Sequence, residues 1–450
     1  MLTVAHLIIF VLGIAWAYAQ FRRSGPLPSQ FLVSFFAVLF GLIPLLLLNR
    51  PERWNPRFQF DNSAIADIRL SLLGLVGLFV MIAVLSLGSV GARPIASRET
   101  GEQNSDDRFM KILVGLAICL YITSVLLNGG PVTLLQNISA FRSSSEGSDV
   151  RILAAALSLS RHYLLLAAVY FSIRAHRSDF AGSKWRRLIL WAGVFATAFL
   201  AGGRVGLINV MLAAFLVATF RRMRLPIRAL LFFSGAALLV LVYGKAILFQ
   251  LANPAFGDAT ERVFASINRV GPINSLVREL SHPQLSLAQS LSTDYPFRVL
   301  GDYWYWLVKP LKLLDYSVPE SISYFNTFVI YGVFDSEIPP GILAFGYLNL
   351  GIAGVVIHVA LISGLVRLYE VRVSKASGSL STAMLVYACL IVPSLVIRSD
   401  PALFMQNQFP MLLPLLWVLY HARRRTGIVK SQPPGHVVKL NRSRWQTTPL

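Results

Sequence analysis

Apolar stretches long enough to cross a bilayer recur along most of this chain, and nothing else in it constrains the fold so tightly. Eleven are readable, near 2–20, 31–49, 70–90, 111–127, 151–173, 188–202, 205–220, 229–249, 341–366, 380–397 and 402–421. A hydrocarbon core about 30 Å thick takes about 20 helical residues at about 1.5 Å each. Within it the backbone must satisfy its own hydrogen bonds, so these stretches predict helices and an all-α polytopic membrane protein. Composition agrees, because 55% hydrophobic and 14% charged residues cannot clothe a body of 450 residues in water. The run from 188 to 220 is too long for one crossing, and Gly202-Gly203 divides it. Four segments follow: about eight spans in 1–249, a long connector over 250–340, about three spans in 341–421, and a basic tail over 422–450.

The net charge of +20 suggests nucleic acid until the charges are placed. With the tail in the cytoplasm, the connectors on that side carry 25 of the 41 Lys and Arg, and the opposite connectors are near neutrality. That asymmetry is a topology signal and needs no nucleic-acid partner. It puts the 250–340 connector on the outer face. Cys119 and Cys389 lie in apolar runs, so neither a disulfide framework nor a cysteine metal site is expected.

The outer connector is dense in aromatic residues, among them Phe297, Tyr303, Trp304 and Phe325, which argues for packing, sugar stacking or contact with the membrane interface. Asp258-Ala-Thr-Glu261 is a capping box that opens a helix near 259–270. Residues 321–334 have the pattern of an amphipathic helix lying against the bilayer.

Charges at membrane depth are costly and tend to be functional. Arg161 falls about 15 Å into its predicted span, either as a packing residue or as the lining of a polar cavity. Arg204 follows two glycines and opens a span, so a guanidinium and helix N-terminal amides share one space, which suits an anion. Arg262 and Arg269 are seven apart on the predicted loop helix and so share a face, solvated or gripping phosphates. Arg278 and Arg298 are further candidates in the same connector, and His282 is its histidine. Arg398-Ser399-Asp400-Pro401 makes a short outer turn. Its charges either pair to close that turn, or Arg398 reads phosphate or sugar while Asp400 orients it or accepts a proton.

The chain has no Gly-rich phosphate loop, no His-Glu-x-x-His and no Asp-x-Asp. The expected chemistry therefore runs on arginines, without nucleotide, cofactor or protein-bound metal. A polyprenyl-diphosphate-linked glycan suits such a site. Its diphosphate needs cationic donors, its sugars stack on aromatic faces, its tail stays in the bilayer, and it is already activated for transfer.

Several short motifs resemble the oligosaccharide repeat unit polymerases, the O-antigen polymerase type of bacterial integral membrane glycosyltransferase. They are Gly202-Gly203-Arg204, Asn268-Arg269, Tyr295-Pro296-Phe297 with Gly301-Asp302-Tyr303, and Ile338-Pro339-Pro340-Gly341 leading to Gly346-Tyr347-Leu348-Asn349-Leu350-Gly351. Their order around one large outer loop carries the likeness, which covers about 200 to 400. Where that family often has an Arg-Gly-Asp-like turn, this chain keeps both charges in Arg398-Ser399-Asp400 but not the glycine.

The resemblance implies a GT-C-like architecture in the bacterial inner membrane, with the active site facing the periplasm. It implies metal-independent block transfer of a growing glycan from undecaprenyl diphosphate onto a new lipid-linked repeat unit, and a chain-length regulator and a flippase as partners. On this reading Arg204, Arg269, Arg398 and Asp400 carry the chemistry. Arg161, Arg262, Arg278, Arg298, His282, Tyr303 and Asn349 bind substrate. Two other functions stay open: an O-antigen ligase, which shares the donor and leans on a loop histidine such as His282, and a transporter of lipid-linked glycans.

Overall fold

The computed structural model describes residues 2–48, 67–87, 103–131, 133, 153, 156–177, 184–200, 204–222, 232, 235–240, 242–244, 265, 271, 274, 277, 280–292, 297–299, 301–308, 321–331, 338–376 and 378–430. Among them the regular structure is helical throughout. Of the capping box and helix expected near 258–270 only residue 265 is described; Arg262, Arg269 and Arg278 lie outside the described residues.

We number the helices α1 (Leu2–Ser24), α2 (Pro28–Leu48), α3 (Ile68–Ser86), α4 (Gln103–Leu127), α5 (Arg161–Arg177), α6 (Lys184–Leu200) and α7 (Arg204–Arg222). The series continues with α8 (His282–Ser292), α9 (Gly301–Val308), α10 (Ile322–Tyr331), α11 (Gly341–Ser374), α12 (Ser379–Ile397), α13 (Pro401–Gln408) and α14 (Leu412–Lys430). Seven helices are long and apolar enough to cross a membrane among the described residues: α1, α2, α3, Ser105–Leu127 of α4, Ala156–Ala175, α11 and α12. Gly206–Ala218, Gly235–Gly244 and Phe409–Ala422 are shorter apolar helices at three further stretches read as spans. The division of 188–220 is visible as α6 and α7, which pack together with Gly206 against Ala198.

Two apolar clusters share α12 as their common wall. One gathers α4, α5, α6 and α7 around Leu380–Leu390, and the other gathers α1, α2, α3, α8 and α11 around Val392, Leu395 and Val396. A helix apolar on every side belongs in the middle of a bundle, and α12 buries most of its length. Cys389 is one of its core residues.

Small residues set the closest approaches. A Cβ on Gly41 would come within 2.7 Å of the Phe10 backbone, so α1 and α2 touch nearly backbone to backbone. Pro44 removes the N–H that would bond the Phe40 carbonyl, and α2 widens into a π turn over Val38–Leu42 just before it. His6 of α1 supplies the missing donor, with Nδ1 at 2.8 Å from the Phe40 oxygen.

The span read at 341–366 has a different shape in the structure. A straight α11 of 34 residues would be about 51 Å long, far more than one crossing needs. It breaks at Leu350 (φ −146°, ψ 27°) and Gly351 (φ 62°, ψ −141°). A Cβ on Gly354 would sit 2.0 Å from the Gly346 carbonyl oxygen, so the first piece folds back against the second.

Charged side chains fasten the end of the bundle where α4 and α11 meet their charged connectors. The Tyr170 hydroxyl donates to Asp107 (2.7 Å), Arg174 pairs with Asp107, and the Trp417 indole donates to Asp106 (3.0 Å), tying α5 and α14 to α4. Glu370 of α11, buried, accepts from the Ser29 amide at 2.6 Å, one of the unpaired donors in the first turn of α2.

Candidate functional site

The broken α11 creates the site. Its first piece ends with carbonyl groups that have lost their helical partners, and in an apolar setting such groups must be satisfied. The outer connector supplies the donors: Arg298 N–H bonds the Leu348 oxygen (3.0 Å) and Val299 N–H bonds the Asn349 oxygen (3.0 Å). Phe297 seats against Gly351, where a Cβ would come within 3.1 Å of the ring. Gly351 has φ +62°, which only glycine adopts easily, so the turn and the contact both require it.

This backbone capture fixes Arg298. Its Nε and Nη2 donate to the two oxygens of Asp302 at 2.7 and 2.9 Å, a bidentate pair one turn apart, and its guanidinium lies over the Phe325 ring at 4.9 Å. The Asp302 side chain is 2% exposed and that of Arg298 21%. Burial pushes the Asp302 carboxyl above its ordinary range, against the pull of Arg298 and of the Asn349 amide, and the nearby Asp400 charge adds to the rise.

The next residue, Tyr303, reaches into the bundle. Its hydroxyl lies 2.8 Å from Nδ1 of His358, on the second piece of α11, and Nε2 of the same ring lies 2.6 Å from the Ser399 hydroxyl. Phe345 stacks on the imidazole at 4.3 Å and meets the Tyr303 ring edge to face. His358 is fully buried, so both ring nitrogens are held in one line between a phenol and a hydroxyl. Burial and the Asp302 charge raise the Tyr303 hydroxyl above the usual phenol range, so it stays protonated.

Ser399 and Asp400 form the turn between α12 and α13. Ser399 is buried with φ +49°, and Asp400 is 2% exposed and accepts from the Ser323 hydroxyl of α10 at 3.0 Å. Among the described residues Val299 and Ser399 are the two non-glycine positions with positive φ, and both are at this site. Such conformations persist where the surroundings over-determine them, and they cluster at functional sites.

Of the residues singled out in the sequence, the structure therefore brings together Arg298, Tyr303, Asn349 and Asp400. Arg398 immediately precedes Ser399, with its side chain exposed. Arg204 opens α7, which packs with α5, α6 and α12, while its side chain lies outside the described part. Arg161 is not within a continuous helix. The chain turns at Leu159–Ser160 and Arg161 begins α5, five residues into the described apolar span Ala156–Ala175. It stands by a second polar group, His162–Tyr387–Gln408, whose bonds are 2.7 and 3.0 Å. Tyr387 lies eleven residues before Arg398, about 16 Å along α12.

His282 opens α8, and its carbonyl accepts from Ser286, which in turn accepts from Asn326 of α10 at 3.0 Å. The helix expected over 321–334 forms as Ile322–Tyr331, but its polar residues Ser323, Asn326 and Thr327 are fully buried and face α8, Asp400 and the Ile338 backbone. In a lipid-embedded bundle the polar face gains most by turning inward.

Sequence reasoning passed over His358, Ser399 and Ser323, and left Asp302 without a partner. The signal for His358 was a lone histidine within an apolar span. No protein-family profile, curated protein or solved structure matches the chain.

Proposed function

We propose that the chain is a membrane glycosyltransferase of the oligosaccharide repeat unit polymerase type. On this reading it spans the bacterial inner membrane about eleven times in a GT-C-like architecture. Its site faces the periplasm and joins undecaprenyl-diphosphate-linked oligosaccharides into a surface polysaccharide. The single observation that carries the reading is the convergence of Arg298, Asp302, Tyr303, Asn349, His358 and Asp400 at the broken end of α11. An arginine is held there beside carboxylates, an imidazole and aromatic faces, which are the parts that transfer from a diphosphate leaving group requires.

In the proposed step an acceptor hydroxyl attacks the anomeric carbon, the bond from that carbon to the diphosphate oxygen breaks, and the lipid diphosphate leaves with the electron pair. Arg298 stabilises the charge that builds on the departing diphosphate. Arg398, Arg204 and Arg269 are the further arginines we assign to the same anion. Asp400 takes the acceptor proton. Tyr303 and Asn349 orient the reacting groups.

The test uses purified protein in liposomes with synthetic undecaprenyl-diphosphate oligosaccharide. A ladder of lengthening products supports polymerisation, and Arg298→Ala should abolish it in protein that still inserts and folds. Transfer onto a lipid A core alone would identify a ligase, and movement of the substrate across the bilayer without bond formation a transporter. Either result overturns the proposal.

A further inference from the structure

The backbone capture that fixes Arg298 also leaves its neighbours in an unusual place. Phe297 is 52% exposed, Val299 69% and Trp304 65%, three large apolar side chains around a buried Asp302 and a half-buried Tyr303. Val299 holds a positive φ (45°), a costly conformation for a β-branched residue, and in it presents its side chain outward. In water that arrangement would pay twice, once for strain and once for exposed apolar surface.

The surroundings identify what covers these side chains. Phe297 packs on Gly351 and edge to face on Tyr347 (6.2 Å), directly beside Ile352, which is 63% exposed. Ile352 begins the outward stripe of the second piece of α11, a helix apolar enough to span a bilayer. On the other side α9, which carries Trp304, packs against α13, which leads into the exposed Phe409 (68%) and Leu416 (63%). The three side chains thus continue two lipid-facing surfaces at one end of the bundle, and a tryptophan at such a boundary has the amphipathic ring that membrane interfaces favour.

We infer that residues 297–299 and 301–304 form an interfacial wedge, with Phe297, Val299 and Trp304 immersed in the leaflet at the broken end of α11, so that the Arg298–Asp302 site opens towards lipid and not towards bulk water. Together with the proposed function, on which this last step rests, a lipid-linked diphosphate would reach Arg298 sideways from the leaflet. The immersion itself does not depend on that reaction.

The experiment reads Trp304 in the full chain reconstituted into phosphatidylcholine nanodiscs. The chain has 8 tryptophans, so the difference between wild type and Trp304→Phe isolates one of them. Lipid carrying a nitroxide near the headgroup end of its acyl chain should quench that component by about half or more, as expected for a ring at the interface, while aqueous iodide leaves it unchanged. Quenching by iodide with none by the nitroxide lipid overturns the wedge. Protection from both quenchers assigns the patch to a protein contact and overturns it equally. Should Trp304→Phe fail to fold, Val299→Cys labelled with an environment-sensitive fluorophore on a Cys119→Ser background gives the same readout. Blue-shifted emission supports immersion and water-like emission refutes it. Neither measurement requires turnover, so an inactive chain can still pass, and a water-exposed Trp304 leaves the polymerisation assay to be judged separately.

Discussion

Replacing Arg298 tests whether it serves the fold alone or the reaction as well. In Arg298→Met the Asp302 carboxyl, 2% exposed, keeps only the Asn349 amide as a local partner and faces Asp400 uncompensated. Removing one member of a buried ion pair costs about 3–5 kcal/mol, and the low exposure of Asp302 puts this case within that range. Asp302→Leu should cost less, about 1.5–3 kcal/mol, because a guanidinium 21% exposed over Phe325 can turn towards polar surroundings. In Arg298→Met/Asp302→Leu no buried charge is orphaned, and stability should return to within about 1 kcal/mol of wild type. Thermal denaturation in detergent, followed by loss of the monodisperse peak, reads all four proteins. Liposome assays of ladder formation then divide the two roles. Both single variants and the repaired double variant should be inactive, because the double variant regains the fold without the cation. Chain growth by the double variant would refute the assignment of Arg298 to the diphosphate and leave it a structural partner of Asp302.

Gly351→Ala should destabilise by about 1–3 kcal/mol, because φ +62° with ψ −141° suits only glycine and the new Cβ meets Phe297 at 3.1 Å; a melting curve checks it, and loss of ladder formation should accompany it. His6→Leu orphans the Phe40 carbonyl and should cost about 1–3 kcal/mol, whereas in His6→Leu/Pro44→Ala the restored amide of residue 44 should recover most of that, a coupling that a double-mutant cycle in detergent measures. Asp302 gives a pH dependence. Its folded carboxyl titrates above its ordinary value of 3.8, so the folded state holds the proton longer than the unfolded chain; the stabilisation is complete below that value and is lost as pH rises through the folded pKa. Unfolding midpoints should therefore fall over that window on going from acid towards neutral pH, and Asp302→Asn should flatten the slope.

Seven of the spans were legible because lipid permits few solutions: an apolar run of sufficient length has to be a helix, whatever its neighbours. Splitting 188–220 at its glycines was legible for the same reason, since a single crossing cannot use so many residues. What could not be read was the fold of α11. Leu350 and Gly351 sit in a stretch with neither proline nor charge, and the doubling back depends on Gly346 meeting Gly354, a contact no periodicity displays. Spacing along the chain also cannot rank arginines that lie on different elements. Arg398 and Arg298 are a hundred residues apart; Arg298 is paired with the buried Asp302, while Arg398 is exposed at the surface of the turn. The α10 helix was legible as an amphipathic segment but not in its orientation, because its pattern looks the same whether the polar side faces water or a polar interior.

The helix break and the candidate site are one structure and not two neighbouring ones. A continuous α11 would satisfy the Leu348 and Asn349 carbonyls internally and give the outer connector nothing to bind. Once broken, it needs two N–H donors at fixed positions, which the outer connector supplies as the successive amides of Arg298 and Val299, and the positive φ at Val299 turns the chain immediately after them. That geometry places Arg298 within reach of Asp302 one turn later, and it sets Tyr303 to bridge to His358 on the far piece of the same helix. The Ser399 turn, also at positive φ, closes the line from the opposite side. Each strained residue is thus held by a hydrogen bond that another element requires. Rigidity of this kind is of little use to a passive packing contact but of direct use to the proposed transfer, which needs a cation, two carboxylates and an imidazole held in register.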